Sequence, residues 1–316
     1  MSRLFRDVDG GSLCPHGSVV CIGAFDGLHS GHRALVRHAV ARARTLGVPA
    51  VVVTFEPLPR EFFARDNPPP PRLTLARAKV EGLLDLGADH VGLLRFDAKL
   101  SAMSAEDFVR TLLVGRLAAR EVWIGPEFRF GHRRGGDLAL LQAMGSELGF
   151  SAGEIEPVHA QGDRVSSTRI REALKSGDFT TATRLLGRAY AIGGRVVRGK
   201  QLGRTLGFPT ANLRFPKTPA LSGIYATWVH GVGDKPWPSV SSFGTRPTVD
   251  GVEPLLEAHL FDFTGDLYGR HIEVEFVAKL RDELKFPDLP SLTVQMHRDA
   301  DDARGILSEH QRRATA

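Results

Sequence analysis

Cysteine is nearly missing from this chain: Cys14 and Cys21 are the only two among 316 residues. That excludes a disulfide-held secreted scaffold. The pair, close together in the chain, fits a reducing cytoplasm rather than a structural bridge. No apolar run approaches the roughly 20 residues of a membrane-spanning helix, so no membrane partner is expected. Met1 to Gly10 carries charge where a secretory leader would carry an apolar core. Charge of one sign is not concentrated either: the net +5 divides as +3 over residues 1–186 and +2 over 187–316. A nucleic-acid binder more often shows a basic face or tail, so the mild basic excess is read as suiting small anionic ligands such as nucleotides. No repeat is visible, and no Ser-His-Asp set. What is present, 42% hydrophobic and 24% charged residues, describes a folded chain long enough for two domains.

The first informative stretch is Gly23-Ala24-Phe25-Asp26-Gly27-Leu28-His29-Ser30-Gly31-His32. The apolar run Ser18–Ile22 before it reads as a buried strand, and Ala34–Val40 after it has helical spacing. A strand-to-helix turn aims backbone N–H groups and the positive end of the helix dipole at one point. Gly23, Gly27 and Gly31 allow a sharp bend and close approach to a phosphate. His29 and His32, three apart, can project from one side of the helix start and donate to phosphate oxygens as charge develops. A glycine-rich turn with two surface histidines is the plainer reading. A His-x-x-His zinc site is disfavoured, because no cysteine or carboxylate follows at ligand spacing.

Strands and helices then alternate. Strands are expected at Ala50–Phe55, His90–Leu94, Glu121–Gly125 and Gly153–Val158, with helices over Leu75–Leu86, Ala105–Leu117 and Gly136–Leu148. This predicts a parallel, doubly wound sheet whose ligands lie beyond the carboxyl ends of the strands. Phe55 lies in the turn after the second strand and Phe128 and Phe130 in Gly125–Gly131, both placed at that edge; ordinary core or lid residues are the plainer reading of Phe128 and Phe130. Ser166, Ser167, Thr168 and Arg171 open a late helix, where hydroxyls and arginine suit a triphosphate and a capped surface helix is the plainer reading.

Near Gly187 the pattern changes to short strands separated by glycine and proline: Tyr190–Val197, Thr210–Phe215, Gly223–His230, Ser239–Phe243, Leu255–Phe261 and His271–Val277, then a helix over Leu289–Leu307. Six strands suggest a compact antiparallel barrel. Gly199, Gly203 and Gly207 recur every four residues, and their amides could wrap phosphates. Thr210 and Asn212 point to one face of an extended segment and offer hard oxygen ligands for Mg²⁺. Glu257 stands in an apolar strand, where a carboxylate is costly unless paired or used. It is either a general base or a solvated residue on the barrel wall.

Taken together, these stretches resemble the bacterial bifunctional riboflavin kinase/FAD synthetase family. The match is carried by the His-x-Gly-His turn, Gly125–Gly131, Val165–Arg171, Gly203–Leu213, Ser222–Ala226 and Glu257–Gly269. Ala24 stands where that family usually has Asn, Glu127 where it has Asp, and Ser242-Phe243 interrupt its Asn-Ile-Gly. The resemblance implies an α/β Rossmann-like nucleotidyltransferase domain over 1–186, then an all-β six-stranded barrel of riboflavin kinase type with a C-terminal helix over 187–316. It implies that ATP and Mg²⁺ are used, that riboflavin becomes FMN, and that FMN becomes FAD. It further implies that Gly23, Phe25, Asp26, Gly27, Gly31, Ser166, Ser167, Thr168 and Arg171 hold the nucleotide, that the loop with Phe128 and Phe130 lies against the nucleotide or flavin with Phe55 a further flavin candidate, that Thr210 and Asn212 hold Mg²⁺ and phosphate, and that Glu257 is the base. A homo-oligomer stays open. The competing classes are an RNA-binding protein sharing the His-x-Gly-His turn and a flavin-binding regulator without catalysis.

Overall fold

The structure, a computed structural model, describes residues 3–64, 68–199, 203, 206–217, 219–248 and 251–315, the side chains of 245–252 and 314–315 apart. Lys200, Gln201, Leu202, Arg204 and Thr205 of the second glycine-rich loop lie outside the described residues.

Six parallel strands form the first sheet: β1 (Leu4–Phe5), β2 (Ser18–Ile22), β3 (Ala50–Glu56), β4 (His90–Arg95), β5 (Ala119–Ile124) and β6 (Ser151–Glu154), in the order β1-β4-β3-β2-β5-β6. The continuous apolar run of β2 has a direct cause. Val20 and Ile22 pack into one core and Val19 and Cys21 into another on the opposite face, as in a sheet covered on both sides. Chain order reverses between β2 and β5, so the turn after β2 opens at the switch point. β1 is too short to show a period in sequence, and β6 ends at Glu154, before the expected Val158. The helix expected over Ala105–Leu117 is a short α-turn, Ala105–Phe108, that widens into a π-helix over Val109–Arg116; nothing in the local sequence explains the widening.

A small ribbon of β7 (His159–Ala160) and β8 (Asp163–Arg164) follows. The second sheet is antiparallel: β9 (Ala191–Arg195), β10 (Ala211–Arg214), β11 (Gly223–His230), β12 (Trp237–Thr248), β13 (Gly251–Leu260) and β14 (His271–Arg281), in the order β10-β13-β12-β11-β14-β9. An isolated bridge between Val197 and Asn212 brings its two edges together and nearly closes the barrel, which removes exposed strand edges. Alternation assigns the two faces. Tyr225, Thr227, Val229, Leu256 and Ala258 are fully buried inside. On the outer wall Ala226, Val240 and Phe261 pack against Ala300, Ala303 and Leu307 of the C-terminal helix, Leu289–Thr315.

By contacts the chain forms two compact units, 1–70 with 74–167, and 71–73 with 168–316. The helix Phe179–Leu186 packs with the barrel: the Phe179 ring lies 5.9 Å from that of Tyr225 and 6.2 Å from that of Phe276.

Candidate active sites

In the first unit a cavity of about 460 Å³ opens at the carboxyl ends of β2, β5 and β6, lined by Ile22, Gly125 and Ile155. Gly23, His29, Gly31, His32, Phe128, Ser166 and Ser167 also line it. His29 caps the helix Ser30–Leu46, its Nδ1 accepting the backbone N–H of His32 at 3.2 Å. That bond needs the Nδ1 lone pair, so a neutral His29 carries its proton on Nε2. The two imidazoles stack with centroids 3.5 Å apart. Burial, then the neighbouring His29 and the Lys79 ammonium, hold the pKa of His32 well below its ordinary 6.5. Two neutral rings at a helix N-terminus can donate N–H without cancelling the dipole. Gly31 leaves little room: a Cβ there would stand 3.3 Å from His29 Nδ1.

Other sequence candidates make contacts within and around the turn. Phe25 is fully buried in the core and meets His32 edge-on at 5.3 Å. Asp26, only 2% exposed, is ion-paired with Arg60 and accepts the N–H of Thr74 at 3.0 Å. Gly27, at φ 95°, donates to Thr74 Oγ1 at 3.1 Å. Ser167 Oγ donates to the Asp26 carbonyl at 2.9 Å, tying the late segment to the turn. Thr168 is exposed and Arg171 buried. Both belong to the second unit, where Arg171 Nε donates to the Pro71 carbonyl at 2.7 Å. Phe55 and Phe130 are core residues, and of the three aromatic candidates Phe128 alone is among the residues lining this cavity.

Two groups in this unit escaped the sequence reading. Lys79 is fully buried, and its Nζ donates to the carbonyls of Phe55 at 2.9 Å and Ala24 at 3.4 Å. It thereby joins the turn that follows β2 to the end of β3. A lysine four residues from both Leu75 and Leu83 interrupts an apolar helical stripe, and that was the available signal. The exposed rings of Phe62 and Phe63 cluster on Phe96, which also meets Phe55.

In the second unit one cavity, about 240 Å³, lies between the barrel's outer wall and the C-terminal helix. Phe208, Ile224, Leu292 and Met296 supply its apolar lining, and Thr210, Asn212, Ser242, Glu257, His259 and Gly203 its polar edge. Arg281 and Asp299, bonded at 2.9 and 2.6 Å, pin the helix to β14 beside it. A further cavity, about 540 Å³, is lined by Arg198, Pro209, Thr264, Gly265, Asp266 and Tyr268. Thr210 and Asn212 line both. Asn212 is the register partner of Glu257, and Glu257 that of Ser242, so the three share one face. Asn212 Nδ2 donates to the Thr210 carbonyl at 3.1 Å and Oγ1 at 3.3 Å. A Cβ on Gly199 would stand 2.8 Å from Asn212 Oδ1, so only glycine leaves that oxygen approachable. Gly207 takes φ 80°, a conformation open to glycine.

The two candidate sites are thus a histidine-capped turn at the switch point of a parallel sheet, and a barrel wall where Thr210 and Asn212 line two cavities with Glu257 opposite Asn212. Family models of FAD synthetase and riboflavin kinase match residues 12–169 and 186–307. The chain is 45% identical over 305 residues to the bifunctional riboflavin kinase/FMN adenylyltransferase of Escherichia coli (strain K12), covering 96% of this chain and 97% of the relative. It is 38% identical to the protein of that name from Haemophilus influenzae, covering 97% and 99%. The crystal structure of a macrolide-efflux protein from Streptococcus pneumoniae superposes with a TM-score of 0.77 at 29% identity, over 95% of this chain and 98% of that one. The chain belongs to the bifunctional riboflavin kinase/FMN adenylyltransferase family. Among the described residues no helix is long and apolar enough to cross a membrane.

Proposed function

We propose that the barrel unit phosphorylates riboflavin with ATP to FMN, and that the sheet unit joins FMN to the adenylyl group of a second ATP, giving FAD and pyrophosphate. The observation that carries the reading is the place of Thr210 and Asn212 on the wall shared by two cavities, with Glu257 opposite Asn212. The apolar cavity under the C-terminal helix suits the isoalloxazine ring. The cavity with Arg198, Thr264 and Asp266 suits a nucleotide, and the phosphoryl group crosses between them at Thr210.

Glu257 accepts the proton of the terminal ribityl hydroxyl while that oxygen bonds to the γ-phosphorus and ADP leaves. A positioned base contributes about 10²–10⁴-fold. Mg²⁺ fits the donors present: Thr210 Oγ1 and Asn212 Oδ1 are hard oxygens, and Gly199 leaves the second approachable. Bound there, the ion would neutralise phosphate charge. In the sheet unit an FMN phosphate oxygen attacks the α-phosphorus and pyrophosphate departs, so no protein nucleophile is required. His29 and His32 donate to the phosphates, and Ser166 and Ser167 complete the cradle; such aligned donors lower the barrier as charge shifts. His32 Nδ1 is buried and bonded to no described protein atom, consistent with a donor or acceptor kept for a ligand. Cys14 and Cys21 are free and buried, which supports a cytoplasmic home.

Incubation of the full chain with riboflavin, ATP and Mg²⁺, with products separated over time, should give FMN first and FAD later. Absence of FMN would remove the kinase reading; FMN without FAD would remove the adenylyl-transfer reading.

A further inference from the structure

His259 lines the apolar cavity of the barrel unit, and Pro209 lines the other. A hydrogen bond of 2.9 Å joins His259 Nδ1 to the Pro209 carbonyl, across the wall where Thr210 stands. A carbonyl only accepts, so Nδ1 carries the proton. The bond has a cause in the ladder. β10 pairs with β13 from Arg214↔Leu255 up to Ala211↔Ala258 and stops there, because Pro209 has no N–H with which to continue. The carbonyl of Pro209 takes its hydrogen bond from a β13 side chain instead. The same ring packs on Phe208, centroids 4.8 Å apart, and Phe208 meets His297 of the C-terminal helix at 4.8 Å. The segment Phe208-Pro209-Thr210 is therefore held from β13 at its carbonyl and at its ring.

We infer that His259 is a positioning residue for phosphoryl transfer: it fixes the Pro209 carbonyl, and through it sets the Thr210 hydroxyl and the Asn212 amide opposite Glu257. This rests on the reading of Thr210 and Asn212 as the Mg²⁺–phosphate ligands. It goes beyond that reading by giving the neighbouring histidine a purpose other than lining the flavin cavity. The two purposes separate experimentally, because a wall residue would affect the flavin and a clamp on Thr210 would affect the nucleotide.

The test is calorimetric titration of the full chain with Mg·ADP, together with the ATP KM for FMN formation and riboflavin binding followed by flavin fluorescence. Thr210→Ala identifies the barrel's component of the isotherm by weakening it. His259→Phe keeps a ring against Phe208 and loses the donor; it should weaken that component about three- to tenfold, the worth of one ordering hydrogen bond. The ATP KM should rise alike, with riboflavin affinity within about twofold of wild type. His259→Asn places an N–H near the position of Nδ1 and should restore both nucleotide values. If His259→Phe does not fold, His259→Ala is read in its place. Unchanged Mg·ADP binding in the donor-less variant, an Asn variant as weak as it, or a loss of riboflavin affinity equal to the nucleotide loss would each overturn the inference. A Thr210→Ala variant that alters no component would overturn the underlying ligand assignment, and the inference with it.

Discussion

Asn212 and Glu257 are direct register partners across β10 and β13, and both line the cavity under the C-terminal helix. Such partners hold their Cβ atoms about 4.5–5.5 Å apart, so an amide that orients Thr210 lies beside the carboxylate assigned as base. Asn212→Ala should keep the fold, slow FMN formation by at least about tenfold and raise the Mg²⁺ concentration for half-maximal rate. FAD formation from supplied FMN should not change. Rates measured across a Mg²⁺ series check this, and an unaltered Mg²⁺ dependence would remove Asn212 from the ligand set.

His32 predicts an acid sensitivity. Its pKa is depressed by burial first and by His29 and Lys79 after it. As pH falls below about 6.5 the unfolded chain gains a proton that the folded ring resists, so stability declines from there toward the depressed folded value. Above that window this group adds no pH dependence. His32→Phe, which keeps an aromatic ring and cannot titrate, should lose less thermal stability between pH 7.5 and 5.5 than wild type. Equal losses would show that His32 titrates freely in the fold.

Lys79 holds the carbonyl of Ala24 in the turn after β2 and that of Phe55 at the end of β3 from a fully buried position. Lys79→Met removes the charge and leaves carbonyls short of a donor, at a typical cost of about 1–3 kcal/mol. FAD formation should fall and thermal stability drop, while FMN formation below the new melting temperature stays normal. A variant with unchanged FAD kinetics would make Lys79 a bystander to the site.

The packing of Phe179 on Tyr225 and Phe276 bears on where the barrel unit begins. A fragment from Thr168 to Ala316 should fold and make FMN. One from Arg188 to Ala316 should be less stable by about 3 kcal/mol or more, the usual cost of losing a buried phenylalanine. Denaturant unfolding of the two fragments compares them; equal stability would show that the helix adds nothing to the barrel.

Much of this was legible because periodicity reports burial. The run Ser18–Ile22 reads as a strand because both of its faces are covered, and Leu256, Ala258 and Leu260 fall inside the barrel because strand side chains alternate. What could not be read depended on distant partners. The partners of Asp26, Arg60 and Thr74, come from 34 and 48 residues away. Phe130 is core and Phe128 lines the cavity, a difference that their shared loop does not show in sequence. The His29–His32 stack and the His259–Pro209 bond follow from rotamers and from a ladder interrupted by proline, neither of which has a period to detect.

The most direct test of two activities at two separate sites is a crossed assay of Glu257→Gln and His29→Ala in the full chain, each given riboflavin or FMN with ATP and Mg²⁺. Glu257→Gln should lose about 10²–10⁴-fold in FMN formation and convert supplied FMN to FAD at the wild-type rate. His29→Ala should make FMN normally and form FAD on the order of 10²-fold more slowly. A Glu257→Gln protein that phosphorylates riboflavin at full rate, or a His29→Ala protein that still makes FAD at full rate, would contradict the assignment of the two reactions to these two sites.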